Sequence, residues 1–179
     1  MHQDMERILL TEKEISRRVL QLGDEISRDF DGRDIVLVCI LKGAVVFFSD
    51  LIRAIDLDVA IDFMSISSYG NSAKSSGVRL IKDLDKDVVD KHVIIVEDII
   101  DTGLTLAYLR DNLISRGAKS LAICTLLDKY ERRIAKIDVE YTGFAIPDEF
   151  VVGYGLDYAE HYRNLPYISV LKPEIYKNS

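Results

Sequence analysis

Residues 93–105 read Val93-Ile94-Ile95-Val96-Glu97-Asp98-Ile99-Ile100-Asp101-Thr102-Gly103-Leu104-Thr105, an apolar run followed by acidic and small polar residues. The first four residues are all β-branched, which predicts a strand that is buried on both faces. The polar residues after them predict a turn. The spacing of Leu106, Leu109 and Leu113 predicts a helix that runs from about Thr105 to Arg116. A buried strand that leads through a turn into a helix is typical of α/β proteins.

The rest of the chain continues this alternation of apolar strands and helices. A capping-box pair, Thr11 and Glu14, predicts the start of a helix that ends near Gly32. The other predicted elements are strand Ile35–Leu41, helix Ala44–Ile55, a strand over 59–64, a polar loop Ser65–Gly77, strands Val78–Ile81 and Leu121–Leu127, and short strands at Val139–Phe144, Phe150–Tyr154 and Tyr167–Leu171. This order predicts one α/β domain, residues 1–179, with a mainly parallel central sheet flanked by helices. Ligands of such sheets bind at the carboxyl ends of the strands.

The composition excludes several classes of protein. Among 179 residues, 23 Lys and Arg stand against 30 Asp and Glu, so the net charge is −7 and the chain lacks the overall basic charge of a nonspecific nucleic-acid binder. We expect no nucleic-acid partner and no membrane, since no apolar run approaches ~20 residues and the charged N-terminus has no signal-peptide core. Cys39 and Cys124 lie in apolar runs, which predicts buried, reduced thiols and a cytoplasmic location.

The residues after the predicted strand indicate a sugar phosphate as ligand. The Thr-Gly-x-Thr turn over 102–105 offers hydroxyls, backbone N–H groups and the positive end of a helix dipole, which together can hold a phosphate. Glu97 and Asp98 would repel a bare phosphate, but they can accept hydrogen bonds from ribose hydroxyls or bind a divalent cation. A purely structural alternative treats Asp98 and Asp101 as capping and turn residues, with Glu97 as a solvated strand end.

This segment resembles the phosphoribosyl-diphosphate motif of the type I phosphoribosyltransferases. The order Glu-Asp-x-x-Asp-Thr-Gly-x-Thr is similar to that of the purine branch, which acts on hypoxanthine and guanine, and the resemblance extends from Leu41 to Arg163. It implies that Glu97 and Asp98 hold the ribose hydroxyls, and that Asp101 faces N7 of the purine as general acid or base. The residues implied to hold the 5′-phosphate are Asp101, Thr102, Gly103, Leu104 and Thr105. Some relatives have Lys at position 104, but the motif uses the backbone N–H there, so we expect little loss.

Two further segments would contact pyrophosphate in such an enzyme. A lysine beside a glycine turn, as at Lys42 and Gly43, can bind an anion, although such turns also occur as simple connections. The resemblance implies that Lys42, Gly43 and Arg163 bind the pyrophosphate, and that the peptide bond before Lys42 is often cis. It also implies that Ser68 and Tyr69 belong to a lid that excludes water, with an inert surface loop as the alternative.

The resemblance places a purine pocket among four residues nearer the C-terminus. Lys129 would donate to O6 of a 6-oxopurine and reject adenine, whose 6-amino group is itself a donor. Phe150 would stack on the base, the backbone of Val151 would read its edge, and Asp157 would contact both the base side and a metal ion. The alternatives are a solvated lysine and a core phenylalanine.

These residues together imply a purine-salvage enzyme. It would transfer the 5-phosphoribosyl group from phosphoribosyl diphosphate to N9 of hypoxanthine, guanine or xanthine and release pyrophosphate. Mg²⁺ is the implied cofactor, held by Glu97, Asp98 and Asp157, and the chain would form a homodimer or homotetramer. The fold would have its core at about 30–130 and a small hood built from the N-terminal and C-terminal segments. Two other classes stay open: a non-catalytic sensor of phosphoribosyl diphosphate, and a phosphatase or phosphotransfer domain with strand-end aspartates.

Overall fold

The computed structural model describes residues 2–68 and 78–177. The elements in chain order are β1 (Met5–Leu10), α1 (Glu12–Asp29), β2 (Ile35–Leu41), α2 (Val45–Ala54), β3 (Ala60–Ser68), β4 (Val78–Lys82), β5 (His92–Ile100), α3 (Leu104–Ser115), β6 (Ser120–Asp128), a 3₁₀ turn (Tyr130–Arg132), β7 (Tyr141–Ala145), β8 (Val151–Val152), β9 (Ile168–Leu171) and α4 (Pro173–Tyr176). Six strands form the central sheet in the order β4-β3-β2-β5-β6-β7, and only β4 runs antiparallel to its neighbour. The predicted α/β fold with a mainly parallel sheet is confirmed.

Apolar side chains cover both faces of the central sheet. Leu37 and Cys39 of β2 belong to a core cluster with α1 and α2, whereas Val38 and Ile40 belong to a second cluster with α3. Because successive side chains of a strand point to opposite faces, a strand covered on both faces needs a continuous apolar run. The runs read from the sequence as buried strands are therefore confirmed.

The start of α1 also follows the sequence pattern. The Thr11 hydroxyl accepts the backbone N–H of Glu14 at 3.3 Å, and a carboxylate oxygen of Glu14 accepts the N–H of Thr11 at 2.9 Å. These two bonds are the capping box predicted from the spacing of the pair. The helix ends at Asp29, shortly before Gly32.

Two strands extend several residues beyond the ends that their apolar patterns predicted. Strand β5 continues to Ile100, so Glu97 and Asp98 lie within the strand and not in the turn after it. Strand β3 continues to Ser68 and pairs with β4, so the predicted loop over 65–77 was wrong at its beginning. Backbone pairing with a neighbouring strand does not require apolar side chains, and it extends both strands through polar residues.

A second, smaller sheet joins the two terminal segments. It consists of β1, β9 and β8, all antiparallel. The sequence pattern did not predict β1, because only Met5 of its six residues is buried and no alternation marks it as a strand. Its conformation depends on pairing with β9, which lies more than 150 residues away along the chain.

The two thiols are free and buried, as predicted. Burial raises the pKa of Cys39 to about 12, and the nearby charges of Glu97 and Asp98 add to the effect. Within the ranges 2–68 and 78–177, no helix combines the length and the apolar character needed to cross a bilayer.

Candidate active site

Three backbone segments meet closely at the carboxyl edge of the central sheet. A Cβ atom added to Gly43, just after β2, would lie 1.6 Å from a carboxylate oxygen of Asp98 in β5. A Cβ added to Gly155 would lie 2.1 Å from the carbonyl oxygen of Gly43, and the φ angle of Gly155 is +101°. A side chain at Gly155 would therefore clash with backbone, and a side chain at Gly43 would displace the Asp98 carboxylate. The peptide bond between Leu41 and Lys42 is cis, as the resemblance implies.

Glu97 and Asp98 form an acidic pair at this edge. A Glu97 carboxylate oxygen accepts the backbone N–H of Asp98 at 3.1 Å, and Asp98 in turn accepts the N–H of Ile99 at 2.7 Å. Burial raises the pKa of both carboxyls, and the negative charge of Asp98 raises the pKa of Glu97 further. Folding therefore holds two carboxylates together at a cost, which is typical of residues kept for a ligand.

Replacing Glu97 by glutamine is expected to stabilise the free protein. Because folding raises the pKa of Glu97, its ionised form weakens the fold as the pH rises through that pKa. We expect Glu97→Gln to raise the Tm at pH 8 by about 2–4 °C, the shift that ~1 kcal/mol produces in a chain of this size. The gain should vanish below about pH 4, where the carboxyl is protonated in both states. Scanning calorimetry measures the effect, with Glu131→Gln, an exposed acid, as control. An unchanged or lower Tm at pH 8 would contradict the prediction.

The turn at 101–105 has the geometry expected of an anion site. Gly103 adopts φ +77° and has no side chain to cap α3, so the N–H groups of the first turn lack partners within the helix. The N–H of Leu104 donates to the Thr102 hydroxyl at 3.5 Å. The carbonyl oxygen of Thr102 accepts N–H groups from Ile134 and Ala135 at 2.9 and 3.0 Å, which anchors the turn to the segment after β6. Backbone donors at the start of α3 are thus held in fixed positions.

The backbone segments that carry Asp101 and Lys129 lie side by side because β5 pairs with β6. The N–H of Lys129 donates to the carbonyl oxygen of Ile100 at 2.9 Å. The Lys129 side chain is only 11% exposed, and its ammonium lies 3.3 Å from Asp148. Asp101 has a different partner: Nε of Arg132 lies 2.8 Å from Oδ1 of Asp101, although the two atoms are not aligned for a hydrogen bond.

Phe150 stands at the rim of this region, partly exposed. Its ring stacks on Tyr176 at 4.7 Å between centroids and meets the edge of Tyr158 at 5.6 Å. Tyr176 therefore covers one face of the ring. Val151, the next residue, is buried in β8 and pairs with Val170. The core-phenylalanine alternative does not fit the 37% exposure of Phe150.

The two cations predicted to bind pyrophosphate both face acids of one segment, 157–160. The Lys42 ammonium lies 3.1 Å from Glu160, and Arg163 lies 2.8 Å from Asp157. Arg163 also donates to the carbonyl oxygen of Gly155 at 2.8 Å, which ties this segment to the close approach at Gly43. Lys42 and Arg163 are thus brought to the same side of the site through their acidic partners.

The three carboxylates predicted as metal ligands do not form one cluster. In the part of the chain that the structure describes, no group of three or more His, Cys, Asp or Glu side chains is arranged to hold a metal ion. Asp157 is instead occupied by Arg163 and by the N–H of Glu160 at 2.8 Å. Glu97 and Asp98 alone remain as a close pair of oxygen donors.

The predicted lid can be followed only to its base. Ser68 is the last residue of β3, where its backbone pairs with Val78 of β4. Tyr69 lies outside the described residues.

Three charged residues of the site were missed by the sequence reading: Arg132, Asp148 and Glu160. Each pairs with a predicted site residue, namely Asp101, Lys129 and Lys42 respectively. The run of charges over 129–133 was a signal for Arg132. Asp148 and Glu160 lie far along the chain from Lys129 and Lys42, and only the fold brings them there.

The class of protein follows from comparison with known families. A profile of the phosphoribosyl transferase domain matches residues 7–159. The chain therefore belongs to this family. The acidic pair, the 101–105 turn and the Lys42–Gly43 turn of the chain lie at one edge of the sheet.

Individual relatives carry more specific names. The chain is 52% identical to the hypoxanthine-guanine phosphoribosyltransferase of Staphylococcus aureus (strain Mu50), over 99% of this chain and all of that protein. A crystal structure of a Staphylococcus aureus hypoxanthine phosphoribosyltransferase matches 98% of this chain and 96% of its own, with a TM-score of 0.94 and 52% identity. The bifunctional TilS/HprT protein of Listeria monocytogenes (serotype 4b, strain F2365) is 50% identical over 98% of this chain, which spans only 27% of that protein's length.

Proposed function

We propose that this chain is a purine-salvage enzyme that transfers the 5-phosphoribosyl group from phosphoribosyl diphosphate to N9 of hypoxanthine or guanine. Inosine or guanosine monophosphate and pyrophosphate are the products, and xanthine is a third candidate base. The observation that carries the proposal is the pairing of β5 with β6, in which the N–H of Lys129 donates to Ile100, the residue before Asp101. A donor for O6 and a carboxylate for N7 then face the same edge of a purine.

The ribose and its phosphate are bound by the β5 end and the turn that follows. Glu97 and Asp98 accept hydrogen bonds from the ribose hydroxyls, which suits carboxylates that the fold holds close together. The N–H groups at the start of α3 and the hydroxyls of Thr102 and Thr105 bind the 5′-phosphate. Leu104 contributes through its backbone N–H.

Bond breaking at C1′ requires stabilisation of the leaving pyrophosphate on one side of the ribose and control of the purine proton on the other. Pyrophosphate leaves as N9 attacks, so positive charge develops on the ribose ring while negative charge grows on the leaving group. Lys42, the Gly43 turn and Arg163 stabilise the leaving group, after exchanging their acidic partners for phosphate oxygens. Asp101 holds or removes the proton at N7. Ser68 and Tyr69, as part of a lid, would exclude water from the reacting carbon.

The base is selected by contacts on the side of the site away from the leaving pyrophosphate. Lys129 donates to O6, the ring of Phe150 stacks on the base, and the backbone of Val151 reads the edge. Adenine is rejected because its 6-amino group would oppose the ammonium, donor against donor. Asp157 orients Arg163 and lies at the boundary between the base and the pyrophosphate.

The acidic pair fits a Mg²⁺ ion that arrives with the substrate. Mg²⁺ is commonly bound by one or two carboxylates together with substrate oxygens. Glu97 and Asp98 supply such oxygens, and a cation would relieve the repulsion that raises the pKa of Glu97. When bound, Mg²⁺ would neutralise negative charge on the leaving pyrophosphate. Asp157 would reach the ion only after releasing Arg163.

The cellular location and the oligomeric state complete the proposal. The buried free thiols, Cys39 and Cys124, suit a cytoplasmic protein. A homodimer or homotetramer is the assembly that the family resemblance implies, and sedimentation of the purified protein would determine it.

The test is a stoichiometric assay with Mg²⁺, phosphoribosyl diphosphate and hypoxanthine. We expect inosine monophosphate and pyrophosphate in equal amounts, and loss of both when a chelator removes Mg²⁺. Phosphate release without nucleotide would instead indicate a phosphatase. Binding of phosphoribosyl diphosphate without turnover of hypoxanthine, guanine or xanthine would indicate a sensor. Either of these outcomes would overturn the proposed function.

A further inference from the structure

Four alternating charges run along the base side of the site. Lys129 lies 3.3 Å from Oδ1 of Asp148, Arg132 lies 3.4 Å from the same oxygen, and Nε of Arg132 lies 2.8 Å from Asp101. We call Lys129, Asp148, Arg132 and Asp101 the ion-pair chain. It joins the residue proposed to read the base to the residue proposed to handle its proton.

We propose that Asp148 is a positioning residue that sets base selectivity by holding the Lys129 ammonium toward O6 of the purine. The inference rests on the proposed function, because it assumes that Lys129 reads the 6-position of a base. It assigns a role to a residue that does not itself need to touch the substrate.

The backbone around Asp148 holds its carboxylate next to Lys129. The N–H of Ile146 donates to the carbonyl oxygen of Asp128 at 2.9 Å, and the N–H of Glu149 donates to Pro147 at 2.8 Å. The first bond fixes the segment after β7 against the end of β6, one residue before Lys129, and the second closes the turn around Asp148. The side chain of Asp148 is 46% exposed whereas that of Lys129 is 11% exposed, so the acid lies nearer to solvent than the lysine.

Opposite charges stabilise the contact between Asp148 and Lys129. A lysine whose side chain is largely buried is costly unless an anion is nearby, and Asp148 is the acid that the described residues place within ion-pair distance of Lys129. Partial burial acts to raise the pKa of Asp148, but hydrogen bonds from Lys129 and Arg132 outweigh it and lower that pKa. The carboxylate is therefore held in its charged form at the place where the lysine needs it.

Arg132 restricts Asp148 from the other side. It shares Oδ1 of Asp148 with Lys129 and reaches back to Asp101, so the carboxylate cannot swing away without breaking two contacts. The ribose and phosphate contacts at Glu97, Asp98 and the 102–105 turn share no bond with Asp148. Loss of Asp148 should therefore change base binding and leave phosphoribosyl diphosphate binding intact.

The test compares Asp148→Asn with the wild type in steady-state kinetics with hypoxanthine and with adenine. Asparagine keeps an acceptor oxygen but removes the negative charge, and the loss of that charge from a charge-assisted hydrogen bond justifies an expected change of about tenfold. We expect the KM for hypoxanthine to rise about tenfold and the ratio of kcat/KM for hypoxanthine over adenine to fall about tenfold. The KM for phosphoribosyl diphosphate should stay within about twofold. Glu149→Gln is the matched control, since Glu149 is the next residue and pairs with Arg7 at 2.6 Å instead.

A second pair of variants separates charge from folding. Asp148→Glu keeps the charge and should retain most of the selectivity. Asp148→Gln introduces a side chain as long as glutamate but uncharged, and it should lose the selectivity. The inference would be overturned if folded Asp148→Asn kept both the selectivity ratio and the hypoxanthine KM of the wild type. If Asp148→Asn does not fold, the same result in Asp148→Gln would overturn it. A wild type that forms no nucleotide from any 6-oxopurine would instead overturn the proposed function, so the two failures are distinct.

Discussion

Replacing Asp101 by alanine is expected to lower kcat by about 10²–10⁴-fold, the usual contribution of a positioned general acid or base. The affinity for phosphoribosyl diphosphate should change by no more than about threefold, because the backbone donors of the 102–105 turn and the acidic pair are unaltered. Arg132 would lose its partner at 2.8 Å, but it keeps Asp148 at 3.4 Å. Steady-state assays give kcat, and titration calorimetry gives the affinity.

The control for Asp101→Ala is Asp111→Ala. Asp111 lies on α3 with its side chain 73% exposed and contacts only the neighbouring Arg110 among the ion pairs of the described chain. It should retain wild-type turnover. A wild-type kcat in Asp101→Ala would show that Asp101 takes no part in the chemical step. An equal loss of kcat and of affinity would show that Asp101 only binds the substrate.

Replacing Gly43 by alanine is expected to abolish activity, with a loss of more than about 100-fold. The new Cβ would lie 1.6 Å from a carboxylate oxygen of Asp98, so either that carboxylate, which is proposed to bind the ribose, or the turn must shift. A misplacement of about 1 Å can cost 10²-fold in rate. The carbonyl of Gly43 also lies against Gly155, so the shift would spread to the segment that carries Asp157 and Arg163.

Gly32→Ala separates this effect from general destabilisation. A Cβ at Gly32 would meet nothing within 4 Å, but its φ of +68° disfavours alanine, so the variant should lose stability and keep its turnover. Thermal unfolding and kcat measured on both variants make the comparison. Full activity in Gly43→Ala would show that the Asp98 carboxylate need not occupy the position that it has in the structure.

The strands and helices of the core could be predicted because their signals are local. The apolar run Ile35–Leu41 is a strand with the same bounds in the structure, and the capping box at Thr11 begins α1. The end of β5 could not be placed from the pattern, since Glu97 and Asp98 interrupt the apolar run while their backbone pairing continues. Strand β1 was missed for the opposite reason, because it is held by a partner at the other end of the chain.

The site shows the same division. Residues within one motif, such as the 101–105 turn, could be read directly because a strand-to-helix turn carries its donors in sequence order. The charged partners of the site could not. Asp148 meets Lys129 only because β7 pairs with β6, and Glu160 meets Lys42 only because Gly155 packs on Gly43. Such contacts depend on tertiary geometry, and no spacing along the chain indicates them.

A competition assay tests the proposed reaction and its base pocket together. The purified protein is mixed with Mg²⁺, limiting phosphoribosyl diphosphate and equal concentrations of hypoxanthine, guanine, xanthine and adenine, and the nucleotides formed are identified by mass. We expect inosine or guanosine monophosphate to dominate and adenosine monophosphate to stay below about 1%, since an unmatched buried donor is strongly rejected. Adenosine monophosphate as a major product would contradict the role of Lys129, and the absence of any nucleotide would contradict the transferase activity itself.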